Sequence, residues 1–245
     1  MFPLIEVFQI SPLLTLLYTC SSAISLLLGF LLLRYYFSSK KNLAKYLGSS
    51  TIFIGLSIIS YLYAFSRYIL TGGLSCTVII TISISNILIG IGLMFLILYL
   101  HLAIFKKIQI FVKLAYSAPI LFMLYIILSI NEINALRIYL GYALMSLIIL
   151  LLIYVSYFIK MSIKMYADKN LIPELRLGAI THIISMFLAI AAIASQIIGK
   201  FYHLPLFSLT AVLSLFLAFL SITLLYLPTT LPNWYVRIAK RLLSD

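Results

Sequence analysis

The sequence predicts an all-α polytopic integral membrane protein with seven transmembrane helices, its N-terminus outside and its C-terminus in the cytoplasm. Three observations carry that expectation: the composition, the spacing of apolar stretches, and the positions of the basic residues. Of the 245 residues, 64% are hydrophobic and 9% are charged. Soluble domains carry roughly 25% charged residues, so a water-soluble fold of this length would leave its apolar side chains uncovered. The surplus has to face lipid.

Crossing a hydrocarbon core of about 30 Å takes roughly 20 apolar residues in a helix. The first stretch that qualifies is 12–33. The residues before Pro12 include Glu6 and no Lys or Arg, so the basic start of a cleavable signal is missing. The second stretch, 48–70, stops at Thr71-Gly72-Gly73, and the third, 77–105, stops at Lys106-Lys107. That break is the tightest, since the fourth stretch, 109–130, follows at once and carries Pro119, which predicts a kink. Asn131-Glu132 precedes the fifth stretch, 135–159. The sixth is 178–199, and His203-Leu204-Pro205 marks the start of the seventh, 204–227. Residues 1–231 therefore read as one transmembrane domain, and 232–245 as a short basic amphipathic helix at the cytoplasmic interface. Pro232 suits its first turn. On a helix, Trp234, Ile238 and Leu242 share one face and Arg237, Lys240 and Arg241 another. Such a segment suits the inner lipid surface; docking to a cytoplasmic partner is the alternative.

Orientation follows from the basic residues. Arg34, Lys40, Lys41 and Lys45 follow the first stretch, and Lys106, Lys107 and Lys113 separate the third from the fourth. Lys160, Lys164, Lys169 and Arg176 lie between the fifth and sixth, and Arg237, Lys240 and Arg241 lie in the tail. Against these fourteen, only Arg67, Arg137 and Lys200 fall on the other side. The positive-inside rule places the larger group in the cytoplasm. It also accounts for most of the net charge of +12 without nucleic acid.

Several stretches carry small or polar residues at three-four spacing. Thr15, Tyr18, Ser22, Ser25 and Gly29 line the first; Ser50, Ser57, Ser60, Ala64 and Arg67 line the second. The third has Thr77, Thr81 and Ser85, with Asn86, Gly90 and Gly92 nearby. The sixth has His182, Ser185, Ala189, Ala192, Gln196 and Gly199, and the seventh Ala211, Ser214, Ala218 and Ser221. In lipid, small residues let helix backbones approach and hydroxyls bond across the gap, so close packing is the first reading. Asn86, His182 and Gln196 are too large to be simple spacers, and a buried amide or imidazole needs a partner or water. With Ser185 they are the candidates for a polar interior or hydrated path. The fourth and fifth stretches lack such stripes, which predicts a peripheral position.

The chemistry that is missing narrows the function. The five acids, Glu6, Glu132, Asp168, Glu174 and Asp245, lie at termini or in loops, whereas proton and cation pumps use ionisable groups inside the membrane. The seventh stretch has no Lys for a retinal Schiff base. His101, His182 and His203 form no His-Glu-x-x-His pair, the two cysteines form no ligand spacing, and no Gly-x-x-x-x-Gly-Lys loop occurs. The expectation is therefore a protein that is not an enzyme and holds no metal or cofactor.

In length, helix number and Ile/Tyr/Ser-rich composition, the chain resembles the polytopic membrane subunit of the archaeal DNA-import (exchange-of-DNA) system. The resemblance is one of general character along the chain and carries no functional residue with it. It implies a cell-membrane location, a pore for DNA, a separate cytoplasmic ATPase and small membrane subunits as partners. A seven-helix sensor signalling to a cytoplasmic partner, or a structural subunit of a membrane complex, are the alternatives.

Overall fold

The computed structural model describes residues 4–72, 75–106, 117, 120–121, 124, 133–201 and 209–243. Within the helices, side chains are described over 15–72, 75–106, 146–195 and most of 213–243. Apart from 117, 120–121 and 124, the predicted stretch 109–130, with Lys113 and Pro119, lies outside this set, as do Lys107 and the side chains of Arg137, Gln196 and Lys200.

Seven helices are described: α1 (Leu4–Ser39), α2 (Asn42–Thr71), α3 (Cys76–Phe105), α4 (Ile133–Ala167), α5 (Pro173–Phe201), α6 (Leu209–Thr230) and α7 (Asn233–Leu243). Among the described residues there is no strand. Five of these helices are long and apolar enough to cross a membrane, six if α6 and α7, set at 86° to each other, count as one broken span. Their outward faces are apolar: Leu27, Phe30, Ile149 and Phe187 are each more than half exposed. Side chains of this kind at such exposure suit hydrocarbon and not water, so the bundle is membrane-embedded.

The helices outrun the predicted stretches because polar ends continue the backbone pattern beyond the apolar core. α4 has 35 residues, about 50 Å at 1.5 Å per residue, so Lys160 and Lys164 extend past a core of about 30 Å.

The helix ends have identifiable causes. Gly72 closes α2 in the left-handed conformation, φ 67°, where a glycine pays no Cβ penalty. Lys40 and Lys106 adopt the same conformation, φ 56° and 60°, and return their N–H groups to Tyr36 O at 2.7 Å and Leu102 O at 2.9 Å. A lysine there accepts some strain but sets its charge at a helix C-terminus, which favours cations. Between α4 and α5, Asp168 Oδ1 accepts from Asn170 N–H at 3.0 Å. Pro173 then opens α5 with Glu174 in its first turn, where the missing donor costs nothing and the carboxylate meets the dipole. α6 ends beyond Pro228, and Leu231 turns the chain with φ 49°.

The helices form a closed ring: each of α1 to α5 packs on its successor among the described elements, and α6 returns to α1. α7 lies on α5. One core cluster at the lysine-rich end draws Leu32, Leu47, Leu98, Phe158, Met186 and Leu225 from six helices. There the C-terminal ends of α1, α3, α4 and α6 gather with the N-terminal ends of α2 and α5.

Three neighbouring pairs lock with the same geometry. Ser22 Oγ donates to Gly55 O at 3.3 Å, and seven residues on, a Cβ at Gly29 would lie 3.0 Å from Gly48 O. Ser50 Oγ donates to Gly92 O at 2.8 Å, and Ser85 Oγ to Ser57 O at 2.9 Å, again seven residues on along both helices. In the third pair, a Cβ at Gly178 would lie 3.3 Å from Pro228 Cβ, and seven residues on, Ser185 Oγ donates to Ser221 O at 2.8 Å. Contacts recurring every seven residues keep one seam facing its partner when helices cross at a shallow left-handed angle.

Candidate functional site

A cluster of phenol, imidazole and hydroxyl groups gathers where α3, α4, α5 and α6 meet near the basic end. Tyr99 of α3 is 2% exposed, and its hydroxyl lies 3.5 Å from His182 Nε2 of α5 and 3.4 Å from Thr229 Oγ1 of α6. Thr229 spends its own hydrogen on Leu225 O at 2.7 Å. Tyr99 must then donate to Thr229 and accept from His182, which assigns the proton of the neutral imidazole to Nε2. The first two contacts are long for hydrogen bonds, so the chain from His182 to Leu225 is loosely closed. Phe158 of α4, 1% exposed, sets its ring edge against His182 with centroids 4.9 Å apart. Beside it, His101 Nδ1 and Tyr154 Oη lie 2.9 Å apart, tying α3 to α4. One turn beyond Phe158, the buried Ser162 Oγ has no hydrogen-bond partner.

The four residues expected to form a polar interior do not assemble into one path. Asn86 is partly buried and accepts from Tyr61 Oη of α2 at 3.4 Å. His182 faces the Tyr99 cluster. Ser185 sits in the α5–α6 seam, where Ser221 Oγ, 3.1 Å away, donates to it. The side chain of Gln196 lies outside the described residues. Tyr99, Tyr154, Phe158 and Thr229 fall outside the small-residue stripes and so are not among the sequence candidates. The available signal was a phenol and an imidazole two residues apart, Tyr99 and His101, in an otherwise aliphatic run.

Below this cluster lies the basic face. Lys40 rests 5.9 Å from the ring centroids of both Tyr36 and Phe37, Lys41 lies 5.6 Å from Tyr35, and Lys45 lies 5.8 Å from Tyr36 and 6.0 Å from Tyr46. Ammonium groups over ring faces are attracted by the ring quadrupole, which holds these lysines near the apolar boundary. Lys106, Lys160, Lys164, Arg237, Lys240 and Arg241 are exposed around the same end. Arg176 Nε donates to Tyr166 O at 3.3 Å. Glu174 pairs with Lys240 at 3.7 Å. Tyr235 of α7 and Thr181 of α5 join at 2.7 Å; Thr181 gives its hydrogen to Leu177 O, so Tyr235 is the donor. Burial raises the Tyr235 phenol above its ordinary value, and the Thr181 bond pulls slightly the other way.

No family model matches this chain, nor does any curated protein or solved structure.

Proposed function

We propose that the chain is the non-enzymatic membrane subunit of a translocation machine, threading the cell membrane seven times with its basic face in the cytoplasm. α1 to α6 supply six spans and 109–130 the remaining one. The fact that α3 and α4 both finish at the basic end supports this count: the chain between Phe105 and Ile133 has to return across the bundle, and 109–130 is the apolar stretch available to do so. The N-terminus is then outside and the C-terminus inside.

The observation that carries the functional reading is the gathering of Lys40, Lys41, Lys45, Lys106, Lys160, Lys164, Arg237, Lys240 and Arg241 at one end, the end that also holds the Tyr99–His182–Thr229 cluster. A separate ATPase docks on that face and supplies the work, small membrane subunits complete the assembly, and DNA is the cargo. Basic side chains suit phosphate contacts of this kind. The test is a clean deletion of the gene with DNA import between cells as the readout, alongside copurification from the native membrane. Loss of import and recovery of a motor ATPase support the reading; unchanged import removes it.

A further inference from the structure

Among the described residues, the short helix α7 sets an exposed apolar strip beside a basic arc. α7 has three sides. Tyr235 and Ala239, four residues apart, are buried against α5, at 4% and 0% exposure. Trp234, Ile238 and Leu242, 52%, 42% and 65% exposed, form an adjoining strip. Arg237, Lys240 and Arg241 occupy the remaining arc, and residues 233–243 contain no acid. The Tyr235–Thr181 bond and the buried Ala239 fix the rotation of α7 about its own axis. The 86° angle between α6 and α7 lays α7 in the plane of the membrane wherever α6 crosses it.

We propose that α7 is a binding element for anionic lipid headgroups. Its Trp234 strip enters the interface while Arg237 and Arg241 reach the headgroup charge. A helix with this pairing of an apolar strip and a basic arc lies at a bilayer surface and responds to its charge. A protein partner would meet the same strip, but the right-angle bend delivers it to lipid level in the isolated subunit. The inference needs only that α6 spans the membrane; it does not rest on a translocation role.

Trp234 is the one tryptophan in the sequence, so its fluorescence reports on α7 alone. The full chain is reconstituted into vesicles of phosphatidylcholine, with or without phosphatidylglycerol, and quenched from the water by acrylamide or from the membrane by lipids spin-labelled high on the acyl chain. Acrylamide is chosen because an anionic quencher would itself be drawn to the arginines. The expected result is quenching by the spin-labelled lipid and about two-fold less acrylamide quenching in anionic than in neutral vesicles. Arg237→Gln/Arg241→Gln, at exposed positions, should keep the wild-type melting temperature and abolish the difference between the two vesicles. Equal acrylamide quenching of the wild type in both vesicles overturns the charge recognition. Protection from both quenchers overturns the inference as a whole, since it places protein over the strip.

Discussion

The α1–α2–α3 packing and the joint made by α4 hold the same bundle together by opposite means. In the first, backbones meet: Ser50 and Ser85 reach main-chain oxygens across the α2–α3 seam, and Gly29 and Gly48 leave no room for a side chain. In the second, large side chains fill the gap: Tyr99, His101, Tyr154, Phe158 and His182, whose rings meet tilted or edge-on with centroids 4.9–6.5 Å apart and whose hydroxyl and imidazole groups meet at up to 3.5 Å. Lipid offers no hydrophobic drive between helices, so both regions depend on dispersion and hydrogen bonds. Short backbone contacts fix one register, while long contacts between rings tolerate small shifts.

Breaking the first region should have the largest effect. A Cβ at Gly29 would lie 2.5 Å from Ile52 Cγ1, 2.9 Å from Thr51 Oγ1 and 3.0 Å from Gly48 O. Ile52 can rotate away, but the carbonyl moves only with its helix. Gly29→Leu should cost about 3 kcal/mol, the upper end of overpacking, read as a fall in melting temperature in detergent; a wild-type melt would show that α1 and α2 do not meet here. In the joint, Phe158→Ala opens a cavity instead. Soluble cores lose about 3–5 kcal/mol for such a change. Here the transfer part is absent because the reference environment is lipid, and about 2 kcal/mol should remain. A bound apolar solute should restore part of that loss.

The same contrast explains what the sequence made legible. Small-residue stripes are visible because Gly and Ser stand out in an aliphatic chain: Ser22, Gly29, Ser50, Ser57, Ser85, Ser185 and Ser221 all sit at helix contacts. Their seven-residue step was not legible, because it belongs to pairs of helices and appears only when partners are known. The aromatic joint was not legible either. Tyr99 and Phe158 resemble the lipid-facing Tyr157 and Phe30 in every local respect, and only the rotation of each helix separates a buried ring from one at 61% exposure. The same limit hid α4: without a small-residue stripe it read as peripheral, yet Leu147, Leu151, Val155 and Phe158 carry it into the core.

Smaller effects sharpen the comparison at the α5–α7 contact. The Tyr235 phenol is raised by burial, so its contribution is present below its unfolded value near 10 and is lost as pH rises through the higher folded value. Alkaline titration should release α7, seen as a red shift of Trp234 emission, and Tyr235→Phe should abolish that step at a cost of about 1 kcal/mol. Ser185→Ala removes both bonds to Ser221 in a seam that Gly178 and Pro228 still hold; hydrogen bonds between membrane helices average about 0.6 kcal/mol each, and the melting temperature should fall accordingly.

The smallest expected effect is the most diagnostic of how α7 is held. Lys240 is 66% exposed and lies 3.7 Å from Glu174, which is 13% exposed. Water and salt screen such a pair, and exposed ion pairs are worth at most about 1 kcal/mol. Glu174→Gln keeps the shape of the side chain and removes the charge, so it should lower stability by under about 0.5 kcal/mol and leave Trp234 emission unchanged at neutral pH. In that case the buried Tyr235–Thr181 bond and Ala239 hold the helix, and the ion pair only orients Lys240. A large red shift on Glu174→Gln would reverse the assignment and make α7 an electrostatic latch.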